Sequence, residues 1–204
     1  RAGIPPRSGL GVPVRMAPYP PPLPTAKWVA TVQELSGGRL NLGIGVGWME
    51  AEFRALGVDR RRRAALTDEC LGFLNECFAQ DEITANGQRF LFRPRPPRPP
   101  ILIGGAPSHA FERVVRHGDG WMPMTLKPDD LRDDVAALRA RCAAAGKAQP
   151  AVIPLGALPL DDESRAREHL AALAALGVTG VVHAQRYADE AAFARMVDTL
   201  ARLR

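Results

Sequence analysis

The sequence predicts an α/β fold built on a parallel sheet, and three observations carry that prediction. Short apolar runs alternate with amphipathic segments six times along the 204 residues. The short runs are continuously apolar, as expected of strands covered on both faces. Glycine, proline and Asn-Gly punctuation separates the segments. Alternation of this kind means parallel strands joined by helical crossovers. A doubly wound open sheet and a closed barrel both satisfy it, and periodicity does not choose between them.

Residues 9–16 form the first apolar run. From Leu23 to Leu35, the positions Trp28, Val29, Val32 and Leu35 follow helical spacing. Ser36-Gly37-Gly38 stops that helix, because glycine supplies a left-handed C-terminal cap. Residues 40–46 are the second strand. Residues 64–79 give the clearest helix, with Leu66, Cys70, Phe73, Leu74, Cys77 and Phe78 on one face. Residues 82–92 read as a hairpin turning at Asn86-Gly87. Arg93 to Pro100 is extended, since proline blocks helix and ladder alike. It reads as a stiff connector, with a PxxP ligand for a partner domain as the alternative. Ile101 to Gly104 is a buried strand, and Pro107 opens a helix that buries Phe111, Val114 and Val115. Strands follow at 120–124, 151–158 and 178–184. The helices behind them are marked by Leu131, Val135, Leu138 and Cys142, then by Ala166, Leu170, Leu173 and Ala174. Phe193, Met196, Val197, Leu200 and Leu203 mark the last.

Composition sets limits. Hydrophobic residues make up 46% and charged residues 24%, the balance of a globular chain. No apolar run approaches the ~18 residues of a membrane span, and no leader pattern opens the chain. The formal net charge is +5. Arg60 to Arg63, with Arg89, Arg93, Arg95 and Arg98, account for it, and without them the balance turns negative. The basicity is local, a solvated helix start and a solvated loop, and not a nucleic-acid stripe. Cys70 and Cys77 stand about 10 Å apart along one helix, too far for a disulfide. No Cys/His ligand spacing appears, so no metal site is expected, and the three cysteines read as reduced, buried thiols of a cytoplasmic protein.

Two stretches carry chemistry. Gly43, Gly45 and Gly47 end a strand, where glycine lets a ligand approach the backbone or lets strands pack tightly. A dinucleotide fingerprint starting at Gly45 needs glycine where Glu50 stands, and no P-loop Gly-Lys-Ser/Thr follows. In the second stretch, Gly104-Gly105-Ala106 runs from a strand into the helix opened by Pro107, with His109 in its first turn. Free backbone N–H groups and the helix dipole make an anion site there, or the stretch is an ordinary strand–helix turn.

Taken together, Ser36 to Trp48, Glu52-Phe53 with Leu56-Gly57-Val58, the Pro99 to Gly105 run and His117-Gly118-Asp119-Gly120-Trp121 resemble the bacterial-luciferase-like oxidoreductases. That superfamily includes flavin monooxygenases and enzymes of the deazaflavin coenzyme F-420. The resemblance runs in order from about residue 9 to the end. It implies a (β/α)8 TIM-type barrel with the cofactor at the C-terminal ends of the strands. Six of the eight units are present, and the first two are missing by comparison with the family. The chain starts at Arg1, not Met, so it is a fragment, a chain whose preceding part is lacking, or a shortened relative. Residues 1–204 then form one N-terminally incomplete barrel domain, with the hairpin and Pro/Arg connector of 82–100 inside it.

By position, the resemblance implies that a strained or cis peptide supports the flavin ring at Pro13-Val14, with Val12-Pro13 as the alternative bond. It sets Gly45, Val46 and Gly47 beside the cofactor. Val46 replaces a phosphate-binding arginine of the luciferases, so that contact is missing. Gly104, Gly105, Ala106 and His109 match the helix start that holds cofactor phosphate. The expected function is hydride transfer or monooxygenation of a small organic substrate with FMN or the deazaflavin. The alternative is a non-catalytic shortened barrel that binds flavin or acts in assembly. No catalytic residue is assigned. Trp48 reads as core packing more than as a pocket wall, and His183 as a satisfied core histidine more than as an acid/base. Open barrel edges invite association, so a homodimer is expected, with neither nucleic acid nor membrane as partner.

Overall fold

The computed structural model describes residues 9–203. In chain order the elements are β1 (Leu10–Met16), α1 (Pro22–Ser36), β2 (Leu40–Gly45) and α2 (Glu50–Ala55), then α3 (Arg63–Ala79), β3 (Glu82–Ala85) and β4 (Gln88–Leu91). They continue with β5 (Ile101–Gly104), α4 (Pro107–His117), β6 (Gly120–Met122), α5 (Pro128–Ala144), β7 (Ala151–Val152) and β8 (Leu155–Gly156). The last are α6 (Glu163–Ala175), β9 (Val182–His183) and α7 (Glu190–Arg202).

β1, β2, β5, β6 and β7 are parallel neighbours in chain order. β8 and β9 form a second parallel pair. Pro154 explains the division, because a proline has no N–H to give a ladder. The direction of the sheet nevertheless continues across it. Ile153 N donates to Trp121 O at 3.0 Å and Leu155 N to Pro123 O at 2.8 Å. On the other side Thr179 N donates to Val152 O and Val182 N to Pro154 O, both at 2.9 Å. Among the described residues β1 pairs only with β2, and β9 only with β8, so the run of strands is open at both ends.

β1 carries an irregularity that shapes the centre of the molecule. Val12 pairs with Leu42, yet Arg15 pairs with Ile44, so Pro13 and Val14 together oppose Gly43. The peptide bond between Pro13 and Val14 is cis. A Cβ on Gly43 would lie 2.4 Å from Val12 O, so only glycine fits opposite the bulge.

Helix boundaries follow local chemistry. Pro sits in the first turn of α1, α4 and α5. Gly37 ends α1 at φ 66°, in the left-handed region. Asp162 caps α6 by accepting from Ser164 N and Arg165 N. Asn86 and Gly87 both have positive φ at the β3–β4 turn. The face that α1 buries differs from the one its apolar spacing predicts. Ala26, Val29 and Ala30 are buried while Leu35 is 82% exposed. Gln33 takes a buried place because its amide is satisfied at both ends: Nε2 donates to Pro97 O at 3.0 Å, and Oε1 accepts from Leu40 N at 3.1 Å. No residue of α7 is buried, contrary to its strong apolar stripe, because it lies at the open end of the strand run.

The connector after β4 is not a free PxxP ligand. Arg93 and Arg95 both engage Asp81, and Arg95 also donates to Phe78 O at 3.1 Å. Arg98 donates to Asn75 Oδ1 at 2.6 Å, Asp119 Oδ2 at 2.7 Å and His117 O at 2.8 Å. Pro96 and Pro99 are buried. Read as a solvated loop from sequence, the segment is pinned to α3 and to the turn before β6. Cys70, Cys77 and Cys142 are buried and free. Burial pushes the Cys70 thiol up to about 11 and the Cys77 thiol to about 12.

Candidate functional site at the strand ends

The bulge of β1 turns Val14 toward the ends of its neighbours. A Cβ on Gly104, the last residue of β5, would lie 3.0 Å from Val14 Cγ1 and 3.4 Å from Ile44 O. One on Gly45, the last residue of β2, would lie 3.4 Å from Val14 Cγ2. A Cβ on Gly43 would meet Met122 Sδ at 3.0 Å. Two strand ends, those of β2 and β5, therefore close around one valine because their own last residues have no side chain. The structure brings together Val14, Gly45 and Gly104 from segments far apart in sequence, with Pro13 exposed beside them. Inside the curve of the strands lies a cavity of about 240 Å³, lined by Pro13, Asn41, Leu102, Met122 and Val182 among others.

Next to this corner the chain enters α4. Gly105 has φ 116°, and no atom lies within 4 Å of where its Cβ would stand. Its carbonyl accepts the indole N–H of buried Trp121 at 2.8 Å. Ala106 is the N-cap and makes no side-chain cap bond, and the first turn contains no acidic residue. The amide of Ser108 has no partner within the helix, as for the first four N–H groups of any helix. The positive end of the α4 dipole is thus uncompensated, which favours an anion. His109 is exposed. Its carbonyl accepts from Arg113 at 2.8 Å, and Arg113 in turn grips Asp68 of α3 at 2.7 and 3.2 Å. That ion pair fixes the first turns of α4 against α3.

The remaining expectations fare differently. Val46 is half-buried just past β2. Gly47, at φ 77°, faces the ring of Phe53, which a Cβ would meet at 2.8 Å, and Tyr19 at 3.3 Å. Its packing partners are therefore these rings, not Val14. Trp48 is 72% exposed, contrary to the core-packing expectation. The left-handed turn at Gly47 sends the chain outward, and Phe53 fills the inner place. His183 is satisfied: Nδ1 accepts from Leu158 N at 3.0 Å, and Nε2 meets Gln185 Oε1 at 3.1 Å. Burial holds its pKa below the ordinary histidine value. Sequence reading missed the contact between Tyr19 and Glu52. The hydroxyl donates to Oε2 at 2.6 Å, tying the loop after β1 to α2. The hydrogen bond to Glu52, with lesser desolvation and repulsion, raises the Tyr19 pKa to about 12. No local pattern joins two residues 33 positions apart.

Parallel α/β folds bind ligands at the C-terminal ends of their strands, and the glycine ends of β2 and β5 and the start of α4 lie at that face here. Residues 6–204 match the family described as luciferase-like monooxygenase, and the chain belongs to that family. An uncharacterized protein of Mycobacterium tuberculosis is 34% identical over 182 residues, covering 84% of this chain and 62% of the relative. The chain thus spans 62% of the length of that relative. The FMNH(2)-dependent dimethylsulfone monooxygenase of Pseudomonas putida is 28% identical over 169 residues, covering 78% of this chain and 46% of that protein. Among solved structures, monooxygenase RslO1 of Streptomyces bottropensis superposes with a TM-score of 0.81 at 17% identity, over 95% of this chain and 76% of its own. The coenzyme F420-dependent tetrahydromethanopterin reductase of Methanopyrus kandleri gives 0.64 at 15% identity, over 85% and 76%. At such identities these structures speak for the fold.

Proposed function

We propose that this chain carries the cofactor-binding part of a luciferase-like oxidoreductase that uses FMN or a deazaflavin of the F420 type on a small organic substrate. One observation carries the reading: Val14, Gly45 and Gly104 meet at the strand ends, directly beside the uncompensated N-terminus of α4. The residues suit such a cofactor. A planar ring needs a flat apolar support without protruding side chains, and Val14 among glycines supplies one. A phosphate needs backbone donors and a positive field, and the Gly105–Ser108 corner supplies both. Open space at the Gly105 Cβ position leaves room for approach. When bound, the cofactor supplies hydride transfer or oxygen chemistry, while the protein positions it. In this reading the chain represents six units of a (β/α)8 barrel, and the complete protein associates as a homodimer.

The site residues act by position. Val14 supports the ring, Gly45 and Gly104 keep the neighbouring backbone close, and Gly105 and Ala106 lead the chain into the phosphate-binding turn. His109 adds an exposed side chain to that turn. The test is a fluorescence titration of the complete polypeptide with FMN and, separately, with the deazaflavin. Binding quenches at least one of them. Gly104→Val crowds Val14 and weakens that binding at least tenfold. Quenching of neither cofactor by the complete, folded polypeptide defeats the proposal.

A further inference from the structure

Arg15, the residue after Val14 on β1, is held but not paired. Its guanidinium lies 4.8 Å from the centroid of the Trp28 ring on α1. Its Nε is buried without a hydrogen-bond partner, and among the described residues Arg15 forms no ion pair. Other arginines near these loops do: Arg61 pairs with Asp59, and Arg62 with Glu69. Residues 1–8 and 204, outside the described range, contain no Asp or Glu. Glu52 accepts from Tyr19. Nε is sealed from solvent, so a ligand meets the terminal nitrogens of this half-buried guanidinium, whose charge no carboxylate among the described residues pairs.

The surroundings of Arg15 define that ligand. Arg15, Met16, Tyr19, Pro20 and Leu56 line a cleft of about 490 Å³. A second cleft of about 490 Å³ shares Tyr19, Pro20 and Leu56 with it and continues past Val58 to Leu66. Leu56 is 53% exposed, an apolar side chain on the wall of both. One guanidinium at the end of an apolar wall suits a monoanion with a hydrocarbon chain. Asp59 and Glu69 line the adjoining cleft with Arg62 and are paired with Arg61 and Arg62, so Arg15 is left as a single unpaired positive charge, which matches a monoanion better than a dianion such as phosphate. A guanidinium fork matches a carboxylate through two parallel hydrogen bonds.

We propose that this cleft binds an organic carboxylate, with Arg15 taking the carboxylate and Met16, Tyr19 and Leu56 taking the chain. Met16 joins this cleft to the proposed cofactor corner, since it lines the cleft and its Sδ lies 3.4 Å from where a Cβ on Gly45 would stand, and the cleft is the substrate subsite. That role rests on the reading of the corner, but the binding does not.

The experiment measures hexanoate binding to the complete polypeptide by calorimetry and by tryptophan emission, with no flavin added. Hexanoate binds saturably, and hexanamide and inorganic phosphate bind at least tenfold more weakly. Arg15→Met keeps a chain under Trp28 and loses at least tenfold in hexanoate affinity at an unchanged melting temperature. Should Arg15→Met not fold, Arg15→Lys serves in its place, keeping the charge without the fork and losing affinity. Leu56→Asp weakens hexanoate independently. Hexanoate binding no better than hexanamide, phosphate binding as well as hexanoate, or Arg15 variants that bind like the parent overturn the proposal. The flavin titration is separate: loss of hexanoate binding with flavin binding intact defeats this inference alone, and the reverse defeats the cofactor reading alone.

Discussion

The indole of Trp121 reaches across from β6 to hold the carbonyl of Gly105 at 2.8 Å, so a core side chain sets the position of the turn in front of α4. Trp121 is buried and meets Phe111 edge-on at 5.1 Å. Trp121→Phe removes the donor and leaves a small void. The expected destabilisation is about 2 kcal/mol, from one hydrogen bond and partial loss of packing. Urea unfolding measures it. Flavin affinity falls as well, because the Gly105 turn is no longer anchored.

Gly105 separates strain from obstruction. Its φ of 116° disfavours any side chain, while the space around its Cβ position is open. Gly105→Ala and Gly105→Leu therefore destabilise by similar amounts, about 1–3 kcal/mol, since the backbone angle sets the cost. They differ in binding: leucine blocks the approach and costs at least tenfold in cofactor affinity, while alanine costs less. Melting curves beside fluorescence titrations show whether the two effects part in this way. A leucine variant that folds and binds like the parent contradicts the placement of the site.

Arg113 and Asp68 join α4 to α3 at 2.7 Å in a largely buried contact. Arg113→Met leaves Asp68 without its cation and frees the His109 carbonyl, at an expected cost of about 3 kcal/mol. Arg113→Met combined with Asp68→Leu removes both charges and recovers much of that loss. Denaturant unfolding of the two single variants and the double variant gives the coupling. Additive losses show that the pair does not act as a unit.

Tyr19 carries a pH signature. Its folded pKa of about 12 stands above the ordinary 10.0, so folding favours the protonated phenol. The stabilisation is fully present below pH 10 and is lost as the pH rises toward 12. A difference titration at the tyrosinate absorbance, parent minus Tyr19→Phe, places this transition near pH 12. Glu52→Gln brings it down toward the ordinary value, because the carboxylate acceptor is the main cause. A Tyr19 transition that stays put in Glu52→Gln refutes the pairing in solution.

The parts of the fold that were legible in sequence are those with local causes. Pro107 at a helix start, Asn86-Gly87 at a turn and the continuous apolar runs act through the backbone of a few neighbouring residues. Leu35 and α7 were misjudged because spacing reports which residues share a face, not whether another element covers it. The glycines at 43, 45, 104 and 105 were visible as candidates, but their shared reason was not. It depends on the β1 bulge at Pro13-Val14, which crowds Gly43 and sets Val14 against the ends of β2 and β5, and on Trp121 reaching back to Gly105 across 16 positions. Arg15 gave no signal at all. An arginine in an apolar strand becomes informative only once Trp28 and the missing carboxylate are seen in space.

The connector of residues 93–100 has a consequence for how the chain meets proteases. Each of its arginines, Arg93, Arg95 and Arg98, is followed directly by proline. Enzymes that cut after basic residues act poorly on a bond to a proline nitrogen, and they need a segment that can be drawn into an extended, unpaired strand. The connector denies them both: its scissile bonds are of the wrong kind, and its arginine side chains are already gripped by Asp81, Asn75 and Asp119. This arginine-rich stretch is therefore where a tryptic digest of the native chain does not begin, and the join between α3 and β5 within it outlasts the exposed run Arg60 to Arg62.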